Sequence, residues 1–307
     1  MAGVKQKYFN PKLSGSYSGL KSFIKNRKIS NSKEVKSQVE KLKEYYLFKP
    51  IRRKFPRRRV LVHEPKHQIA FDLIDLIRYS KWNNNFKYVL IVVDVFTKKI
   101  WTEKLKSKSA DALVIAFKRL FTRMGCHPKL AQSDDGKEFV NSKVQSLFKA
   151  HNIKWFSTRS IVKAGVAERA IRTIMSKLAR VFSHRDNFKY IDVLDNIVKS
   201  YNDSVHSTIG MKPNEVVREN TDLAYFNTYK DIIKDKRKRI PKFKVGDQVR
   251  IDRQKAMFEK GYDYNWNPEI FVVEKVSNST PITYNLKDLN GEQILGTFYE
   301  PELQKVI

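Results

Sequence analysis

Between residues 67 and 157 the apolar positions alternate between two periods. Residues 68–76 form an apolar run interrupted by Asp72, Tyr88-Val89-Leu90-Ile91-Val92-Val93-Asp94-Val95-Phe96 forms a second, and residues 100–105 form a third. Short runs of this kind, rich in β-branched and aromatic residues, predict strands. Asn83-Asn84-Asn85 predicts the turn of the first hairpin. Over residues 109–124, Ala110, Leu113, Ala116, Phe117, Leu120 and Phe121 recur at helical spacing. Residues 129–133 predict a short strand ending on Asp134, residues 140–151 a helix, and residues 153–157 another strand followed by a loop with Ser, Thr and Gly. Helices follow over about 166–183 and 190–202. Three antiparallel strands followed by alternating helix and strand make an RNase H-like arrangement.

The flanks read differently, so the fold class is multidomain α+β. Residues 1–49 predict a small helical domain: one helix over 18–27, then an N-cap at Ser30-Asn31-Ser32 with Val35, Val39, Leu42 and Tyr46 at helical spacing behind it. Two short helices joined by a brief turn resemble a helix-turn-helix, a pattern with many examples that bind no DNA. Residues 50–66 read as an extended basic linker, because Pro50 and Pro56 keep Arg52, Arg53, Lys54, Arg57, Arg58 and Arg59 off any helical face. The core spans 67–220, and a helical, basic linker spans 221–240. Short strands at 243–251, 271–276, 283–286 and 293–298 predict a small SH3-like or chromo-like barrel over 241–307. Trp266 and Tyr299 serve either barrel packing or stacking on nucleic acid or a chromatin peptide.

Charge narrows the function classes. Lys and Arg number 61 against 32 Asp and Glu, a net of +29 over 307 residues. Residues 1–66 alone hold 19 Lys/Arg and 4 Asp/Glu, a net of +15. Phosphate backbones are the natural counter-charge, with affinity falling steeply in salt. The basic run at 52–59 is a DNA-tracking linker, a nuclear-import signal or a solvated face; Lys234-Asp235-Lys236-Arg237-Lys238-Arg239 is a second candidate import signal. A lone cysteine, Cys126, excludes a disulfide framework and fits a reducing compartment. No apolar stretch is long enough to cross a bilayer, and the first residues show no secretory apolar segment.

The candidate chemistry lies in three acids. Asp72 interrupts a buried strand, Asp134 ends another, and Glu168 opens a helical pattern in Ala164-Gly165-Val166-Ala167-Glu168-Arg169-Ala170. Each has an ordinary reading alone: a bulge or edge acid, an Asp-Asp-Gly turn, a helix-dipole acid. Their joint order carries the signal. Three converging carboxylates repel unless divalent metal neutralises them, and an oxygen-only site suits Mg²⁺ or Mn²⁺. Two such ions clamp the attacking and leaving oxygens of a phosphoryl displacement. Asp75 and Asp94 are not expected ligands.

The residues also carry a resemblance. Gln68-Ile69-Ala70-Phe71-Asp72-Leu73, Val92-Val93-Asp94-Val95-Phe96-Thr97-Lys98, Gln132-Ser133-Asp134-Asp135-Gly136-Lys137-Glu138-Phe139, Gly165-Val166-Ala167-Glu168-Arg169 and the segment from Tyr201-Asn202 through His206 to Lys212-Pro213 resemble blocks of retroviral-type integrases. Within that family they look more like the integrases of Polinton/Maverick transposons and virophages. The resemblance implies a DNA integrase that processes the 3′ ends of a mobile element and joins them to target DNA. Asp72, Asp134 and Glu168 would be its catalytic, metal-binding triad with two Mg²⁺ or Mn²⁺ ions. Lys163, Arg169 and Arg172 lie near the third acid and are expected to contact phosphate. Asp135 stands where relatives often carry Asn; Asp134 is the expected ligand of the pair. Relatives often begin with a zinc-binding His₂Cys₂ domain. This chain has no Cys before Cys126, and Pro65 separates His63 from His67, so no zinc is expected. Tyr45, Tyr46, Leu47 and Phe48 are the expected apolar substitute. The expected partners are double-stranded DNA, further copies of the chain as a tetramer on DNA, and chromatin through the C-terminal domain; membrane is not among them. The expected location is the host nucleus. A domesticated DNA- or chromatin-binding protein without activity is the alternative; a plain RNase H would lack the flanking domains.

Overall fold

The computed structural model describes every residue except Met1, Arg27, 29–31, Arg53, 158–164, 235–239, 254–262 and Ile307. The expectations for Ser30, Asn31, Arg53, Lys163, the loop after residue 157 and most of the 234–239 run therefore lie outside the described residues. The chain divides into two compact units, one of residues 1–59 with 237–307, the other of residues 60–236.

In the first unit four short helices open the chain: α1 (Ala2–Tyr8), α2 (Leu20–Asn26), α3 (Ser32–Glu40) and α4 (Lys43–Tyr46). Their core is Tyr8, Phe23, Val35 and Val39, all buried. Tyr8 meets Phe23 edge to face at 5.2 Å, and its hydroxyl donates to the Ser18 carbonyl at 3.1 Å. The aromatic run expected to fill this core does so only in part. Tyr45 packs there, whereas Phe48 is exposed and Tyr46 turns its ring to the Arg250 guanidinium at 3.9 Å.

The second unit is built on a five-stranded sheet: β1 (Gln68–Asp75), β2 (Tyr88–Asp94), β3 (Ile100–Leu105), β4 (Leu130–Ser133) and β5 (Lys154–Ser157), in the order β3-β2-β1-β4-β5. Strands β1, β2 and β3 pair antiparallel, while β4 and β5 run parallel to β1. This is the arrangement that the periodicity predicts. One sheet face carries Ile69, Phe71, Leu90 and Val92. It is covered by α5 (Ala110–Met124), α6 (Lys137–Val140) and α7 (Ser142–Ala150), and Phe71 meets Phe117 and Phe139 edge to face, each at 5.0 Å. Ser109 caps the start of α5, and Gly125, in the left-handed region at φ 71°, ends it. The helix expected over 140–151 is α7, and the short α6 before it was not expected; Asn141, extended between the two, accepts from Val144 N at 2.9 Å as the N-cap of α7.

The opposite face carries Ile74, Val89, Ile91 and Val93 under α8 (Gly165–Arg185) and α9 (Leu194–Asn202). The latter starts later than the predicted residue 190. Tyr190 is instead buried, its amide donating to the Asn83 side chain at 2.7 Å. Asn83 is thus no simple hairpin turn. A 3-10 helix, Ile77–Trp82, precedes it, and its amide also donates to the Tyr79 and Phe188 carbonyls. Residues 221–233, expected as the start of a helical, basic linker, do form a helix, α10 (Thr221–Ile233), but one packed on the core, with Ala224 buried with Val62, Ala70, Phe96 and Ala167.

The first unit closes with β6 (Gln248–Ile251), β7 (Phe271–Ser277), β8 (Thr283–Lys287), β9 (Phe298–Tyr299) and β10 (Leu303–Lys305), in the order β10-β6-β7-β8-β9 around Phe243, Val249, Phe271, Val273, Tyr284 and Leu286. The strand expected over 293–298 shrinks to Phe298–Tyr299. Gly296, at φ 116°, takes the chain out of extended geometry, and Leu295 beside it is exposed. This sheet and the N-terminal helices share one unit through backbone bonds. The amides of Asn265 and Trp266 donate to the Leu47 carbonyl at 2.7 and 3.1 Å, and Trp266 Nε1 donates to Lys49 O at 2.8 Å. Trp266 is buried in this contact, which assigns it to packing.

Candidate active site

Strand alternation fixes which face each acid shares. On β1, Ile69 and Phe71 belong to the α5–α7 face, while Ala70 and Ile74 belong to the α8 face, so Asp72 has the parity of the α8 side. Gln68 and Gln132 confirm the parity on the adjacent strand: their side chains meet at 3.0 Å, both buried. Gln132 shares its parity with Asp134. Ala70 and Gln132 are partners in the parallel ladder, and extending that register by two residues brings Asp72 level with Asp134. Glu168 stands in the first turn of α8, next to Ala167, which is buried with Ala70. Strand, strand end and helix start thus carry the three acids toward one face.

Their side chains are held locally. Asp72 is half-buried and accepts from Leu73 N at 2.7 Å through Oδ1. Asp134 is half-buried and accepts from Gly136 N at 3.1 Å, while Glu168 and Asp135 are exposed. A Cβ on Gly136 would stand 3.1 Å from both Asp134 Oδ1 and the Glu138 carboxyl, so this turn has little room for a side chain. Among the described residues no three His, Cys, Asp or Glu side chains stand close enough to hold a metal ion together. The fold brings the three backbone positions to one face without gathering their carboxylates, and repulsion between like charges opposes closer approach.

The other two acids of this region have structural work. Asp94, fully buried at the end of β2, accepts from Lys66 N at 3.0 Å, Phe96 N at 3.1 Å and Thr97 Oγ1 at 2.7 Å. Burial pushes its carboxyl above the usual range against the pull of those donors. Asp75 is exposed and caps the following turn by accepting from Ile77 N at 2.9 Å.

The basic residues separate into two kinds. Arg172 is exposed on α8, four residues beyond Glu168, and Arg169 is exposed with its Nε donating to Gly165 O at 2.7 Å. In the linker, Arg52, Lys54, Arg58 and Arg59 are exposed. Arg57 is engaged within its own unit. Its guanidinium pairs with Glu302 at 2.9 Å and lies 4.5 Å from the centre of the Phe55 ring and 5.5 Å from that of Tyr299. The amide of Arg58 donates to the Tyr299 hydroxyl at 3.0 Å, so this stretch is strapped to the C-terminal sheet. Sequence patterning missed the strap because its partners lie more than 240 residues away.

Known proteins resemble this chain in its core and along most of its length. Residues 63–160 match the family model of the integrase core domain, a span that contains Asp72 and Asp134. A putative uncharacterized transposon-derived protein of Caenorhabditis elegans is 34% identical over 220 residues, covering 71% of this chain and 73% of that protein. Among solved structures, a chain of the simian T-cell lymphotropic virus intasome in complex with the PP2A regulatory subunit B56 gamma matches with a TM-score of 0.68. The match covers 99% of this chain and 98% of that chain at 11% identity. The HTLV-2 integrase catalytic core domain in complex with magnesium matches 50% of this chain and 96% of that chain at 17% identity, with a TM-score of 0.41. By the extent of the nematode match together with the integrase-core match, the chain belongs to the retroviral-type integrase family.

Proposed function

We propose that the protein is a DNA integrase of a mobile element of the Polinton/Maverick or virophage kind, which cleaves near the 3′ ends of its element and joins them to target DNA. One observation supports the reading: β1, which carries Asp72, pairs in parallel with β4, which ends one residue before Asp134, and the ladder's register continued by two residues would set the two acids level, on the face that the first turn of α8, with Glu168, covers. The donor set is all oxygen and fully anionic, at half-buried and exposed positions where an ion keeps part of its water, and this fits a hard divalent cation. Asp72 and Asp134 would hold such ions between them, and Glu168 would complete the site. When bound, Mg²⁺ or Mn²⁺ lowers the pKa of an attacking water or hydroxyl and neutralises charge on the phosphate.

The chain's own residues do the rest. The short Asp134–Gly136 turn fixes the second acid at its strand end. Arg169 and Arg172, on the exposed side of α8, hold the DNA backbone beside the third acid. The C-terminal sheet acts as an SH3-like module on DNA, and the exposed linker arginines extend that contact. The working location is the nucleus, where the target DNA lies.

A strand-transfer assay tests the reading. The full chain is incubated with duplexes ending in candidate terminal repeats, a supercoiled target and Mg²⁺. Joined products that vanish on chelation are expected. Absence of product with Mg²⁺ and with Mn²⁺, across repeats shown to be bound, contradicts it.

A further inference from the structure

Within the first unit, the basic linker and the C-terminal sheet line a cavity of about 360 Å³. That size falls in the ~300–1,000 Å³ range of small-molecule sites. Its walls are Phe55, Tyr299, Ile282 and three prolines, and its two charged lining residues are Arg52 and Glu300. The Phe55 and Tyr299 rings stand 5.6 Å apart at 54°, with the Arg57 guanidinium 4.5 and 5.5 Å from their centres. The Arg58 amide donates to the Tyr299 hydroxyl at 3.0 Å. The aromatic walls are thus set beforehand, which lowers the ordering cost of binding. Glu300 is half-buried, and its Oε1 accepts from the Tyr284 hydroxyl at 2.8 Å and from Lys242 N at 2.9 Å. Those two donors fix the carboxylate, and among the described residues its Oε2 accepts no hydrogen bond.

The chemistry of the walls selects the ligand. Aromatic and proline surfaces suit a flat apolar body, and the Glu300 carboxylate calls for an N–H donor on it. The linker that supplies one wall exposes Arg52, Lys54, Arg58 and Arg59, so the surroundings call for an anion. A nucleotide has all three features, whereas a proline-rich peptide lacks the phosphate. We propose that this cavity takes the base of one unpaired DNA nucleotide, with its amino group on Glu300 and its phosphate on Arg52. A paired base keeps its faces stacked and its amino group bonded within the duplex, so only an unpaired one can enter. The inference rests on the integrase reading, because cleavage near a 3′ end leaves the complementary strand unpaired there. Adenine, cytosine and guanine carry the amino group that a carboxylate accepts from, and thymine does not. The cavity therefore also discriminates between bases.

Fluorescence anisotropy of the full chain with labelled duplexes tests this. One duplex is blunt, and the others add a short 5′ overhang of adenine, cytosine or thymine to the same core. Adenine and cytosine overhangs should bind about fivefold or more tighter than the blunt duplex, and tighter than thymine. Phe55→Leu should remove that gain while blunt-duplex affinity stays within about twofold. In Glu300→Gln the side-chain oxygen still accepts from Tyr284 and Lys242, so the fold is kept while the preference over thymine is lost. Equal affinity for blunt and overhanging duplexes overturns the cavity's role and leaves the integrase reading intact. Calorimetric binding of deoxyadenosine monophosphate, or of a proline-rich peptide, without any overhang gain overturns it in favour of a free-nucleotide or a peptide site. Failure to bind DNA at all overturns the integrase reading and the cavity's role with it.

Discussion

Asp72 and Asp94 lie on antiparallel neighbours of one sheet, yet their carboxylates meet different surroundings. Asp94 has three local donors and no exposure, which makes it a clasp for the β2–β3 turn. Asp72 keeps partial exposure on the α8 face. An acid inside an apolar run is conspicuous in any sequence, but the run does not show whether donors wait for it. Order and spacing separated the two here. A further residue-scale feature is the stacked pair His127 and His151, with ring centroids 4.0 Å apart and planes at 10°. Burial and the His151 charge hold His127 below its ordinary value of 6.5. A lowered pKa for a base means that the unfolded chain takes up a proton first on acidification. The stabilisation is therefore present above about pH 6.5 and is lost as pH falls below it. Thermal unfolding between pH 7.5 and 5.5 should show a steeper loss in the wild type than in His151→Phe, which keeps a stacking ring without a charge. Equal slopes would contradict this.

At the scale of elements, periodicity located the core strands because each buries one face or both, and burial imposes period two. It missed short local elements, the one-turn α6 that Asn141 separates from α7 and the 3-10 helix that leads into Asn83 at the first connection. The basic linker shows another limit, since a run of arginines looks uniform until its partners are known. All of Arg52, Lys54, Arg57, Arg58 and Arg59 are exposed, but the Arg57 guanidinium is also engaged by Glu302, Phe55 and Tyr299. Neutralising the other four should lower the slope of log affinity against log salt by up to about 0.9 for each phosphate that they neutralise in the wild type. Arg57→Gln should leave that slope nearly unchanged and destabilise its unit by about 1 kcal/mol. Salt titrations of DNA binding beside denaturant melts check both. A fall in slope for Arg57→Gln equal to that of another linker arginine contradicts the strap.

At the scale of the whole molecule, the excess of +29 sets the conditions for assembly. On the proposed integrase reading each chain would carry one acid triad, while paired insertion joins two element ends to two target strands. Two catalytic copies are the minimum, and a symmetric tetramer on DNA is the expected species. Self-repulsion keeps the free chains apart until DNA screens it. Mass photometry should show monomers or dimers alone and four chains on paired element ends; one chain per end, competent for paired insertion, would contradict this. The helical domain and the C-terminal sheet share one unit, tied through Trp266 and Leu47, so each copy presents them together.

The central claim is that Asp72, Asp134 and Glu168 form one phosphoryl-transfer site. Strand transfer in Mg²⁺ by purified Glu168→Gln, with Asp75→Asn as control, tests it most directly. Glu168→Gln should lose both end cleavage and joining, a drop of about a hundredfold or more, while its affinity for duplex stays within about twofold of wild type. Asp75→Asn should remain active. Turnover by Glu168→Gln at the wild-type rate would contradict the assignment.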